Sequence, residues 1–182
     1  MHHIAARSIA EEHIFKDTGD YLTGIRILAE LVGDSRLACH AFCFMPTHYH
    51  LYGTFDDVSS VVRDLNRRYA IAYNRRYRRR GHVFDSPYSS TEITSERHFV
   101  ALPRYIALNP ANYETWPYSS YPGLIGRRPA FSFVDSAPIL DAFGTVAAFR
   151  RFVDEGRDAS DSNLVPAAPG TRFVSSKARP SR

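Results

Sequence analysis

Four residues of this chain have the types and spacing to do chemistry together. His48 and His50 flank Tyr49 in the run Met45-Pro46-Thr47-His48-Tyr49-His50-Leu51-Tyr52. If that run is a β-strand, alternation puts both imidazoles on one face and Tyr49 and Leu51 on the other. Two imidazoles one pleat apart can converge on a metal ion. Tyr105 and Asn109 are four apart in Arg104-Tyr105-Ile106-Ala107-Leu108-Asn109, so on a helix they share a face. A tyrosine hydroxyl can attack phosphorus and hold it as an ester. An amide oxygen one turn away can be a third ligand to an ion held by His48 and His50. Each feature also has a plain structural reading. A short His-x-His run can be the wet side of a strand, a helix tyrosine can pack its ring in a core, and Asn suits a helix C-terminus.

A polyanion is the partner suggested by charge. Between Val61 and Gly81 lie Arg63, Arg67, Arg68, Arg75, Arg76, Arg78, Arg79 and Arg80, against one acid, Asp64. The chain carries +4 overall, so the remainder is net acidic. The planar guanidinium fork suits phosphate, although a solvated helix face would also be rich in charge.

These groups need elements to position them. His3 to Ser8 reads as a first strand. Asp17-Thr18-Gly19-Asp20 offers caps for an amphipathic helix (Tyr21, Leu22, Ile25, Leu28, Ala29, Val32) that ends at Gly33-Asp34-Ser35. Arg36 to Met45 is a nearly all-apolar, central strand. Pro46-Thr47 turns into a strand over His48 to Phe55. Asp56-Asp57 caps a helix from Val58 to Tyr77, with the arginines toward its C-terminal half. Tyr88 to Ile93 is a further strand. A helix runs from Thr94-Ser95-Glu96 to Leu108, and Asn109-Pro110 stops it. The order is β-α-β-β-α-β-α. Its first six elements make a ferredoxin-like α+β arrangement, an antiparallel sheet with helices packed on one face. Trp116 to Gly123 is aromatic and turn-rich, suited to wrapping the body. Ile139 to Glu155 is a last amphipathic stretch.

Residues 1–125 then form the catalytic domain, 126–157 a C-terminal helical extension, and 158–182 a Ser/Ala/Pro-rich disordered tail. At 182 residues and 44% hydrophobic content the chain can bury a core. No apolar run has the length of a membrane span, and the N-terminus has no signal architecture, so the cytoplasm is expected. Cys39 and Cys43, read on one strand, share a face too far apart for a disulfide and make no thiolate metal site. His40 falls on the other face as a structural residue, and His98 is a surface histidine.

Several segments, taken in order, resemble one family. Met45-Pro46-Thr47-His48-Tyr49-His50-Leu51 is similar to the Met-Pro-Asn-His-x-His-Leu signature of the REP-associated tyrosine transposases, within the single-strand transposase branch of the HUH endonucleases. Leu65 to Ala70 with Tyr73 to Arg76 resembles their basic helix, and Gly81-His82-Val83-Phe84 their Gly-His-x-Phe turn. Arg104 to Pro110 resembles their Arg-Tyr-Ile-x-Leu-Asn-Pro helix, and Trp116 to Tyr121 their Trp-Ser-Ser-Tyr segment. Leu140 to Gly144 and Phe149 to Gly156 resemble their C-terminal piece.

The resemblance implies a ferredoxin-like core and a DNA transposase or nickase acting on single-stranded or hairpin DNA, as a monomer or homodimer. Tyr105 would be the nucleophile that stays on the 5′ phosphate and frees a 3′ hydroxyl for rejoining. His48, His50 and Asn109 would hold a divalent metal, Mg²⁺ or Mn²⁺. The arginine helix would grip the DNA backbone. Two departures stand out. Asp85-Ser86-Pro87-Tyr88-Ser89-Ser90 replaces a basic run, which removes or moves a DNA contact. Pro103 sits inside the helix two residues before Tyr105, where proline removes a hydrogen bond and tends to kink. Both departures motivate an alternative, a repurposed DNA- or RNA-binding module that does not cut.

Overall fold

The structure is a computed structural model that describes residues 1–158; the tail expected at 158–182 lies, beyond its first residue, outside the described residues. Four strands form one antiparallel sheet in the order β2-β3-β1-β4: β1 His2–Arg7, β2 Leu37–Phe44, β3 His48–Phe55 and β4 Ser89–Glu92. Helices α1 (Thr18–Gly33) and α2 (Val58–Tyr77) complete the β-α-β-β-α-β unit. After it come α3 (Glu96–Ala107), the single turn α4 (Tyr121–Leu124), α5 (Ala137–Phe143) and α6 (Val146–Asp158). No described helix is long and apolar enough to cross a membrane.

Caps set the helix starts. Asp17 accepts from the amides of Gly19 and Asp20, Asp57 from those of Ser59 and Ser60, and Ser95 from that of His98. Each satisfies donors that the first helical turn cannot pair internally.

The sheet is buried on both faces. Helices α1 and α2 cover one, where Leu28, Leu31, Val62, Leu65 and Tyr69 meet Ile4, Phe42, Tyr49 and Leu51. That is the arrangement expected of the first six elements. The helices that follow cover the opposite face, where Leu102, Ile106, Ile139, Phe149 and Val153 meet Ala41, Cys43 and Tyr52. The whole protein therefore has helices on both faces. The last amphipathic stretch is two helices rather than one, because Gly144 breaks it at φ +70°.

The two cysteines sit on different faces, Cys39 under α1 and α2 and Cys43 under α3. The pairing of β2 with β3 shifts between Cys39 and Ala41, so His40 is an extra residue and the alternation resets there. Both thiols are free and buried, and burial pushes each up to about 12. His40 is buried, with Nδ1 on the Asp135 carbonyl at 2.9 Å and Nε2 on the Thr54 hydroxyl at 3.3 Å.

The aromatic segment closes the outer edge of β2. The Phe44 amide donates to the Tyr118 carbonyl, the Ser120 amide to the Phe42 carbonyl and the Trp116 indole to the Phe44 carbonyl, at 2.9–3.0 Å. An edge that would otherwise offer unpaired backbone to another chain is thereby covered.

Candidate active site

The turn Met45 to Thr47 is pinned by the backbone. The Ser8 amide donates to the Thr47 carbonyl, those of Ile14 and Phe15 to the Pro46 carbonyl, and that of Met45 to the His48 carbonyl. His48 therefore enters β3 in a fixed position, with its Nδ1 3.1 Å from the Thr47 hydroxyl. Alternation does what the sequence predicts. Tyr49 and Leu51 join the core under α1 and α2. His48 and His50 face α3, with ring centroids 5.1 Å apart.

Helix α3 supplies the other half. It runs unbroken through Pro103, which is buried toward the core with Leu102, Ile106 and Ala107. The neighbouring face presents Tyr105, whose ring lies edge-on to His50 (5.3 Å, 77°) and to His3 (5.9 Å, 80°). The Tyr105 hydroxyl has no hydrogen bond among the described residues and is not sealed from solvent. One turn on, the Asn109 amide nitrogen donates to the Tyr105 carbonyl at 3.2 Å. That bond turns the amide oxygen toward His48, 3.3 Å from its Nε2. The structure thus brings Tyr105, His48, His50 and Asn109 to one place from two distant segments.

It also adds a residue that the sequence reading passed over. Antiparallel pairing sets Ala5 opposite His50 and Arg7 opposite His48, so His3, Ala5 and Arg7 line the same face. His3 Nε2 lies 3.1 Å from His50 Nδ1. No local motif marks His3, because strand pairing alone carries it to His50 from 47 residues away.

Burial holds all three imidazoles below their ordinary range. His3 is pushed down to about 4, chiefly by burial, with a small contribution from His98. His50 is 3% exposed and is held well below its usual value by burial and by His3, His48 and Arg7, with Asn109 opposing. His48 is lowered by burial and Arg7, again against Asn109. At neutral pH the rings are uncharged, with lone pairs able to bind a cation.

This donor set fits a divalent ion. Two neutral imidazoles suit first-row ions such as Mn²⁺, and an amide oxygen is acceptable to Mg²⁺ and Mn²⁺ alike. Among the described residues no three His, Cys, Asp or Glu side chains form a metal cluster. Beside His48 and His50, the Asn109 oxygen could serve as a third protein ligand, since it lies 3.3 Å from His48 Nε2. With no carboxylate in the set, the ion would keep its full charge for a bound anion.

Tyr105 and His50 open onto a cavity of about 330 Å³ walled also by His3, Arg7, Asp85 and His98. His98 is half-buried in that wall rather than a plain surface residue. Asp85 and Pro87 also line a second groove of about 530 Å³, between α2 and residues 81–88. Arg63, Asn66, Arg67 and Tyr88 lie along it. The departure Asp85 to Ser90 thus forms the partition between cavity and groove.

The arginines divide into two groups. Arg67 pairs with Asp64, Arg68 with Glu30, Arg79 with Glu12, and Arg76 with Asp17 and the buried Asp20. Apart from Arg67–Asp64, which lies within α2, these pairs tie α2 to α1 and to the segment after β1. Arg63, Arg75, Arg78 and Arg80 are exposed and form no ion pair among the described residues. Helix α2, which carries the stripe, packs on the sheet face opposite the histidines, and its Arg63 and Arg67 line the groove that shares Asp85 and Pro87 with the cavity.

No protein-family model matches this chain, and no curated protein matches it. A solved structure does: a REP-associated tyrosine transposase bound to a REP hairpin, at a TM-score of 0.59 and 15% identity, over 76% of this chain and 86% of that one. At that identity the likeness is one of fold. The chain is an α+β protein with the fold of a REP-associated tyrosine transposase.

Proposed function

We propose that this protein is a transposase-type nuclease of the cytoplasm that cleaves and rejoins single-stranded or hairpin DNA through Tyr105. The observation that carries the proposal is the convergence of an unpartnered tyrosine hydroxyl with a neutral imidazole pair and a fixed amide oxygen. The bound hairpin of the structural neighbour supports DNA as the substrate.

In the first step the Tyr105 oxygen attacks phosphorus and loses its proton. The bond from phosphorus to the 3′ oxygen breaks, and that oxygen takes up a proton. The products are a 5′-phosphotyrosine ester and a free 3′ hydroxyl. The reverse attack by a 3′ hydroxyl rejoins the strand and releases Tyr105. One phosphodiester replaces another, so no external energy source is required. A Mg²⁺ or Mn²⁺ ion held by His48, His50 and Asn109 would supply neutralisation of phosphate charge. The edge-on contacts with His50 and His3 hold the Tyr105 ring, which reduces the entropy lost in reaching an in-line attack. The Asn109 bond to the Tyr105 carbonyl couples the ligand to the same turn of α3 as the nucleophile.

Incubation with labelled hairpin DNA and Mn²⁺ should yield an adduct that survives denaturation. Tyr105→Phe should abolish it and leave DNA binding intact, and His50→Ala should remove it too. Tight DNA binding with no adduct across a randomised hairpin library would favour the repurposed binding module, a reading motivated by the acidic Asp85 in the cavity wall.

The division of the arginines gives a second expected result. Arg63→Ala should weaken DNA binding, lower the slope of log affinity against log salt by about one, and change stability little. Arg76→Ala should instead lower the unfolding midpoint, because it removes the ion-pair partner of the buried Asp20 carboxylate and leaves it only the Tyr77 hydroxyl and the Lys16 amide. Denaturant titration alongside DNA binding at several salt concentrations separates the two.

A further inference from the structure

We infer that His3 is a positioning residue for the metal site: it accepts a hydrogen bond from His50 Nδ1 and so leaves the His50 Nε2 lone pair free to bind the ion. The inference rests on the metal reading of His48, His50 and Asn109 above. Its geometric basis is the contact between the two rings. Their facing nitrogens are 3.1 Å apart, their planes 23° apart, and their centroids 5.2 Å apart. That centroid separation is close to the largest that a 3.1 Å contact between two imidazoles permits. The rings therefore meet edge to edge with the two nitrogens in line, not face to face. A proton fits between nitrogens so arranged, and a metal ion at coordination distance from both does not.

His3 is thus excluded as a ligand on the side where it touches His50. A neutral imidazole carries one N–H and one lone pair, so the contact needs one ring to donate and the other to accept. If His50 donates from Nδ1, its Nε2 is a ligand. If His3 donates, His50 Nδ1 is occupied as an acceptor and its Nε2 carries the proton, which blocks coordination. Only the first arrangement serves a metal site. Histidine ligands are generally fixed this way by a partner on their other nitrogen, which sets both tautomer and ring orientation. The backbone fixes the pair as well, since β1 and β3 run antiparallel with Ala5 opposite His50.

The test is Mn²⁺ binding to the full chain without DNA, followed by electron paramagnetic resonance and calorimetry. His3→Phe keeps an aromatic ring beside Tyr105 and removes the acceptor. It should weaken Mn²⁺ binding about 10- to 100-fold. His3→Gln places an amide oxygen near the lost nitrogen and should recover most of that loss. Long-range ¹⁵N spectra of the metal-free wild-type protein should show His50 protonated at Nδ1. Wild-type affinity in His3→Phe, with binding still lost in His50→Ala, overturns the role of His3 and spares the metal reading. Equal weakness of folded His3→Phe and His3→Gln also overturns it, as does a His50 proton found on Nε2. Absence of Mn²⁺ binding that depends on His50 overturns both. The spectra decide the question even where a variant fails to fold.

Discussion

Gly53→Ala should destabilise the protein by about 2–3 kcal/mol, and Gly33→Ala should leave it unchanged or slightly more stable. Gly53 lies on β3 opposite Cys39, at the point where the β2 pairing shifts. A Cβ there would sit 2.4 Å from the Ala38 carbonyl oxygen, with the Ala38 carbonyl carbon and the Cys39 Cα close behind. Every one of these atoms is backbone, so no side chain can swing away. Relief requires β2 and β3 to separate or the bulge at His40 to move. The bulge determines which β2 side chains face α3, and β3 carries both site histidines. The damage should therefore reach function, as weaker Mn²⁺ binding and less adduct from the fraction that folds. Gly33 has open space where its Cβ would go and lies in the last turn of α1. Removing backbone freedom from the unfolded chain there contributes at most about 0.5–1 kcal/mol of added stability. Urea titrations of the two variants beside wild type measure both effects. Equal midpoints would mean that the strands part at Gly53 without strain.

The same bulge shows where the sequence could be read and where it could not. Helix α2 and strand β3 are found at the bounds that patterning predicts, Val58–Tyr77 and His48–Phe55. Asp57 caps the helix, Arg78 leaves it in a left-handed conformation, and the pinned turn at Pro46-Thr47 starts the strand. Those are local signals. One inserted residue at His40 breaks a period-two reading without any local mark, and so separates Cys39 from Cys43. Gly53 was a trace of it, legible only once β3 is known to lie beside Ala38. The shared face of His48 and His50, and that of Tyr105 and Asn109, follow from periodicity alone. Their meeting does not, because it depends on α3 crossing the sheet on the side opposite α1 and α2. His3 was invisible for the same reason. The arginine stripe looked unopposed because its acids lie elsewhere: Glu12, Asp17, Asp20 and Glu30 all precede it in the chain.

Moderate acid should destabilise the metal-free protein through its buried histidines. Burial lowers His3 from 6.5 to about 4, and lowers His50 and His48 in the same direction. Between the folded and unfolded values the unfolded chain binds a proton that the folded chain excludes. Stability therefore rises with pH across that window, is complete above about 6.5, and falls as pH drops toward the folded value. A histidine kept neutral in the fold costs about 2 kcal/mol between pH 7.5 and 5. With His50 and His48 moving the same way, the wild-type loss should exceed that figure. Carboxylates contribute in a lower window. Arginine partners hold Asp17, Glu30 and Asp64 below their usual range, so their contributions are lost as pH falls from the ordinary values, 4.5 for Glu30 and 3.8 for Asp17 and Asp64, toward the lowered ones. Urea unfolding at pH 7.5 and 5 isolates the histidines. His3→Gln should flatten the difference by about 2 kcal/mol or more, since it removes one buried imidazole and also the like charge that His3 would present to His50. A wild-type protein equally stable at both pH values would mean that the cluster opens to water when protonated. The site would then admit solvent to His50, and the edge-to-edge contact with His3 would not survive acid.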